Sequence, residues 1–181
     1  GSVPEELSTE VTKELRKVED TMGRRLGDAD NPLLVSVRSG AKFSMPGMME
    51  TVLNVGLNDE SVEGLATQTG NDRFAWDSYR RLLQMFGKTV LDLEGERFED
   101  AMDAIKKAKG VTGDLDLDTD DLRDLVAAYK RIIREDSGAE FPQDPKAQLM
   151  GAVEAVFNSW NSDRAVLYRR RERIPSDLGT A

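Results

Sequence analysis

The chain has 181 residues, 39% of them hydrophobic and 33% charged, and a formal net charge of -9. This allows one or two small domains with a real core, and the acidic balance argues against a nucleic-acid binder, which needs a basic face. With no Cys and no His, the chain has no disulfide, thiol nucleophile or phosphohistidine, and it lacks the commonest general base and transition-metal ligand.

In chain order, Gly1-Ser2 reads as a tag scar and is set aside, with residues 1–3 as an N-terminal edge. Leu7, Val11, Leu15, Val18, Met22 and Leu26 recur every three or four residues, which predicts an amphipathic helix stopped by Gly27. Pro32 to Arg38 then changes period and reads as a short, mostly buried strand. Small residues fill Ser39 to Gly47, with Pro46-Gly47 as a turn signal, and Met48 to Leu57 is a brief helix or an ordered loop.

Helical spacing resumes near Asp59. Phe74, Tyr79, Leu82, Leu83 and Phe86 form an apolar face that Gly87 should terminate. Phe98, Met102 and Ile105 mark a helix ended by Gly110. Leu122, Leu125, Val126, Tyr129, Ile132 and Ile133 mark another, with Thr119 as N-cap and Gly138 past its end. Asp144-Pro145 opens a helix whose Val153, Val156, Phe157 and Trp160 should face the interior. A last helix through Ala165 and Tyr168 runs to about Arg173, and Ile174 to Ala181 is a loop. No run approaches the roughly 20 apolar residues that span a bilayer. The fold class is α+β, predominantly helical. A lone strand leaves backbone groups unpaired, so its partner strands are expected outside this chain.

Four constellations are candidates for chemistry. In Val35-Ser36-Val37-Arg38-Ser39-Gly40-Ala41 a strand delivers an arginine to its exit, where small residues let a ligand approach the backbone. Arg38 offers a planar fork for phosphate oxygens, and Ser39, Ser44 and Thr51 offer hydroxyls. The alternative is a turn with a surface ion pair, with Met48 and Met49 as core filler. The acidic run Asp114 to Asp121 resembles a calcium loop at positions 1, 3 and 5. Thr119 and Leu125, however, stand where that loop needs Gly and Glu, so an acid-rich helix start is the better reading. Arg164, Arg169, Arg170, Arg171 and Arg173 form a basic cluster that reads as a helix end paired with acidic neighbours, the other reading being a nucleic-acid surface. On the helix after Asn71, residues Arg73, Asp77, Arg80, Arg81 and Gln84 share a solvated polar face, with Asp77 and Arg81 spaced as an i,i+4 pair.

As a string, Ser36-Val37-Arg38-Ser39-Gly40-Ala41, Ser44-Met45-Pro46-Gly47-Met48-Met49-Glu50-Thr51 and Leu53-Asn54-Val55-Gly56 resemble the N-terminal region of pyruvate phosphate dikinases. Asn71 to Arg81, Phe141 to Pro145, Ser159 to Ala165 and Tyr168 to Pro175 continue the resemblance in the same order. It implies part of an ATP-grasp-like nucleotide-binding domain. Residues 4–56 and 144–181 would form an incomplete first subdomain around a helical insert, 57–143. The parent enzyme would interconvert ATP, phosphate and pyruvate with AMP, pyrophosphate and phosphoenolpyruvate through a phosphohistidine domain. It would use ATP and magnesium, with the metal ligands and the carrier histidine outside this chain, so the chain alone is expected to be inactive. By the resemblance, Arg38 is the phosphate-contacting, catalytic arginine, and Ser39, Gly47, Met49 and Thr51 line the nucleotide pocket. Either Arg80 or Arg81 is a further nucleotide-side arginine, a choice the residues leave open. A cytoplasmic homodimer with no membrane or nucleic-acid partner is the expected setting of the parent. The alternatives are a related phosphoenolpyruvate synthase-type phosphotransferase and a non-catalytic helical interaction module.

Overall fold

The computed structural model describes residues 5–40, 42–43, 45–175 and 178–179. The tag-scar residues, Ala41 and the Ser44 hydroxyl lie outside the described residues. Among the described residues seven α-helices and four short strands follow one another: α1 Glu5–Met22, β1 Arg25–Leu26, β2 Pro32–Leu33, β3 Val35–Arg38, β4 Thr51–Val55, α2 Ser61–Thr69, α3 Asp72–Thr89, α4 Glu96–Lys109, α5 Thr119–Ser137, α6 Pro145–Ser159 and α7 Asp163–Arg171. The α+β, mostly helical class stands. None of the described helices is long and apolar enough to cross a membrane.

The expected lone strand is not alone. β3 pairs antiparallel with β4, placing Val35 opposite Val55, Val37 opposite Val52 and Arg38 opposite Thr51. Its partner comes from Met48 to Leu57, read above as helix or loop. The alternation there is hidden by a bulge, since β4 spends three residues where β3 spends two. Asn54 supplies the bulge with a positive φ of 60 and donates its side-chain amide to the Ser78 carbonyl at 3.1 Å. The expected single strand Pro32 to Arg38 also breaks at Leu34, its first part pairing parallel with β1. It is half-buried rather than mostly buried: Val35 and Val37 are partly covered, Ser36 and Arg38 exposed.

Other stops move for physical reasons. α1 ends at Met22, because Gly23 takes the left-handed conformation (φ 63) and Leu26 joins β1. Gly27 serves instead as a crossing point, where a Cβ would come within 2.1 Å of the Pro145 ring. α3 runs through Gly87, which makes room for the Phe98 ring: a Cβ there would lie 2.6 Å from it. Asp118, not Thr119, caps α5, accepting from the Asp120 and Asp121 amides. Along α6, Val156 and Trp160 are buried but Val153 and Phe157 only half so, and Phe74 on α3 is exposed.

One core joins ribbon and helices. Val52 and Val55 of β4, Tyr79, Leu82 and Leu83 of α3, Leu125, Tyr129 and Ile133 of α5, and Leu149 and Ala152 of α6 belong to the same buried cluster. A polar seam fastens it. The Gln148 side chain, fully buried, accepts from the Gly56 amide at 2.9 Å and donates to the carbonyls of Leu57 at 2.9 Å and Pro142 at 2.8 Å. Beside it, the Asn58 side-chain amide donates to the Gln143 carbonyl at 3.0 Å, and Tyr79 donates its hydroxyl to Asp59 at 2.8 Å.

Gln148→Leu keeps the volume but orphans one buried N–H and two carbonyls, and should destabilise the chain by about 3 kcal/mol or more. A denaturant midpoint unchanged by it would contradict this account of the seam. The Asp118 carboxyl is held down at about 2 by its hydrogen bond to Lys109 and by the Asp121 amide. A depressed carboxyl stabilises the fold above its ordinary value of 3.8 and loses that effect as pH falls towards 2. Asp118→Ala should therefore lower the melting temperature near pH 7, and the difference from the parent sequence should shrink between about pH 4 and 2.

Candidate functional site

The ladder of β3 and β4 ends at the Arg38–Thr51 pair, and between these two residues the chain makes the loop that forms one wall of a surface concavity. Cross-strand partners point to the same face, and both residues are exposed, so their guanidinium and hydroxyl stand together at the ribbon's open end. The buried Val52 and Val55 fix that choice of face, since their side chains occupy the core.

The second half of the loop, Met45 to Glu50, is held at both of its ends. Met45 is buried, and the Met48 amide donates to its carbonyl at 3.0 Å across Pro46-Gly47. Pro at the second position and Gly at the third, here with φ 72, is the pattern of a type II turn. At its far end the Glu50 amide donates to the Ser159 hydroxyl at 3.1 Å, and that hydroxyl also approaches the Met49 sulfur at 3.8 Å.

The resulting concavity, about 530 Å³, is lined by Arg38, Ser39, Lys42, Phe43, Met45, Pro46, Gly47, Met49, Glu50 and Thr51. Five of the residues singled out from sequence (Arg38, Ser39, Gly47, Met49 and Thr51) thus share one surface. Among the described residues Arg38 has no carboxylate partner, so the surface ion pair of the alternative reading is not found there. Its cationic neighbour Lys42 and the exposed ring of Phe43 were missed, although a Lys four residues after an Arg in a Gly- and Ser-rich segment was a usable signal. The concavity's acid, Glu50, pairs with Arg164.

Arg80 and Arg81 do not line this concavity. They share Asp77: Arg80 approaches it at 2.5 Å and Arg81 at 2.9 Å. The expected i,i+4 pair is present, but the face is not simply solvated. The Arg80 residue is only 6% exposed, with a further donation to Gln84 at 3.2 Å. Both arginines lie near Asp114, whose carboxyl is held below the usual range chiefly by its hydrogen bond to Lys106. The acidic run is therefore a set of partners for Lys106 and Lys109 before α5. The C-terminal arginines are also dispersed. Arg169 is buried, donating to the Trp160 carbonyl at 2.5 Å with its guanidinium 4.1 Å from that ring's centre. Arg164 is taken by Glu50.

Among the described residues no three carboxylates gather where they could hold a metal ion. With Glu50 committed to Arg164, the concavity's residues do not fit magnesium. A polyanion suits them better: two cations, two hydroxyls and a glycine turn.

Comparison with known proteins points the same way. The family described as pyruvate phosphate dikinase, AMP/ATP-binding domain, matches residues 3–181. The chain is 51% identical over 180 residues to the pyruvate, phosphate dikinase of Clostridium symbiosum, covering 99% of this chain and 21% of that protein. It is 51% identical to the Giardia intestinalis enzyme of that name, covering 100% and 20%, and 53% identical to the chloroplastic pyruvate, phosphate dikinase 1 of Oryza sativa subsp. japonica, covering 99% and 19%. The chain thus spans about a fifth of the length of these relatives.

Proposed function

The chain belongs to the pyruvate phosphate dikinase AMP/ATP-binding domain family, and on that premise we propose that the concavity beside Arg38 receives the phosphate chain of ATP. The parent protein then interconverts ATP, phosphate and pyruvate with AMP, pyrophosphate and phosphoenolpyruvate. The observation that carries the site is an exposed guanidinium without a carboxylate partner among the described residues, opposite Thr51 and beside Lys42, on a surface with one neutralised acid.

The chemistry follows from charge. Transferring a phosphoryl group spreads negative charge over its oxygens, and fixed cations lower the barrier where that charge grows. Arg38 can grip two oxygens at once from a strand end that the core immobilises, and Lys42 adds a point charge. The Ser39 and Thr51 hydroxyls are donors in reach of the same oxygens. Gly47 gives the turn its positive φ with open space where a Cβ would stand, so the loop backbone can lie close to a ligand. The phosphoryl acceptor is the phosphohistidine domain that the family resemblance implies, outside this chain, which has no histidine. In this reading the small sheets belong to an ATP-grasp-like region, with residues 57–143 as a helical insert whose two ends are tied by the Asn58–Gln143 hydrogen bond. Of the two arginines that share Asp77, both outside the concavity, Arg81 is the one open to solvent, its side chain 58% exposed against 7% for Arg80, so a nucleotide-side role falls to it rather than to Arg80.

Arg38→Met keeps the stem and deletes every donor. In the full-length parent it should slow the ATP-dependent half-reaction by roughly 10³-fold or more, the low end for a phosphoryl-stabilising arginine. The half-reaction with pyruvate, run from phosphorylated enzyme, should stay near normal, and so should the melting temperature, because an exposed arginine contributes little to stability. Equal loss in both half-reactions would mean a structural arginine.

A further inference from the structure

Glu50 is the concavity's acid, and three helices hold it. Its amide donates to Ser159 of α6 at 3.1 Å, its carboxylate accepts from Thr89 at the end of α3 at 3.4 Å, and Arg164 of α7 forms an ion pair with it. Ser159 is buried and its hydroxyl donates a hydrogen bond to the Val156 carbonyl at 2.7 Å, which leaves the oxygen oriented to accept from the Glu50 amide. The carboxylate and Arg164 are 33% and 50% exposed. An exposed pair of this kind contributes little to folding. Its place matters more: the same residue lines the surface that carries Arg38 and Lys42.

We infer that Arg164 is a positioning residue for nucleotide binding, which holds the Glu50 carboxylate away from the cations that take the phosphates and neutralises its charge. This rests on the concavity being the phosphate site. Two consequences follow from electrostatics alone. Without Arg164, a free carboxylate beside the site repels a polyanion and competes for Arg38 and Lys42. Removing that carboxylate as well removes the need for Arg164.

The test is a double-mutant cycle in the full-length parent, read as KM for ATP, KM for pyruvate and melting temperature. Arg164→Met should raise the KM for ATP roughly tenfold, the size of one modest charge interaction. The KM for pyruvate and the melting temperature should not move. Arg164→Lys should recover most of the loss, and Glu50→Gln in the Arg164→Met background should bring the KM for ATP back towards that of the parent. A defect that persists in the double variant would overturn the inference, since Arg164 would then touch the nucleotide or serve only the fold. An unchanged KM for ATP in Arg164→Met would overturn it too. Arg38→Met, assayed alongside, separates the two levels. If it leaves the ATP half-reaction intact, the phosphate site itself is misplaced; if it abolishes that half-reaction while the cycle fails, only the role of Arg164 is wrong.

Discussion

The buried carboxamide of Gln148 holds the chain together at the place where its parts meet. It satisfies a backbone N–H and two carbonyls, which come from the exit of β4, the start of the next segment and the approach to α6. A buried amide with its bonds complete fixes geometry as apolar packing alone does not, because any slippage orphans a polar group in a low-dielectric interior. Gly56, the residue it grips, has φ 114, and a Cβ there would come within 2.9 Å of the Leu33 carbonyl. The β1–β2 ribbon, the β3–β4 ribbon and α6 therefore meet at one point.

From that point the candidate site follows. β4 is clamped at its end and buries Val52 and Val55, so its outer face, and the Arg38–Thr51 pair with it, has one orientation. The part of the loop from Met45 to Glu50 is fastened as well, since Met45 is buried and Glu50 is tied to α3, α6 and α7. Preorganised charge of this sort suits phosphate better than a mobile arginine would, because little ordering is left for the moment of binding.

Much of this was legible in the sequence, though unevenly. Helices with strong ends read well: Gly110 and Gly138 take the left-handed cap conformation, and Asp144-Pro145 opens α6 as its chemistry predicts. β4 did not, because the Asn54 bulge breaks the two-residue alternation that marks a strand. Gly87 misled, since it makes room for Phe98 instead of stopping α3, a tertiary fact with no local trace. The heart of the candidate site lies within 14 residues, from Arg38 to Thr51, so contiguous motif reading could reach it. Ser159 and Arg164, more than 100 positions from Glu50, could not be linked to it without the fold. The burial of Arg80 was hidden for the same reason: a polar helix face looks solvated until another part of the chain covers it.

The proposed site depends on where the phosphates of ATP lie. The direct measurement is a crystal structure of the full-length parent with a non-hydrolysable ATP analogue. Phosphate oxygens are expected about 2.7–2.9 Å from the guanidinium of Arg38, the range for charge-assisted bonds, with Lys42 beside them and Glu50 still on Arg164. An analogue bound with its phosphates elsewhere, and Arg38 left in solvent, would contradict the proposed site.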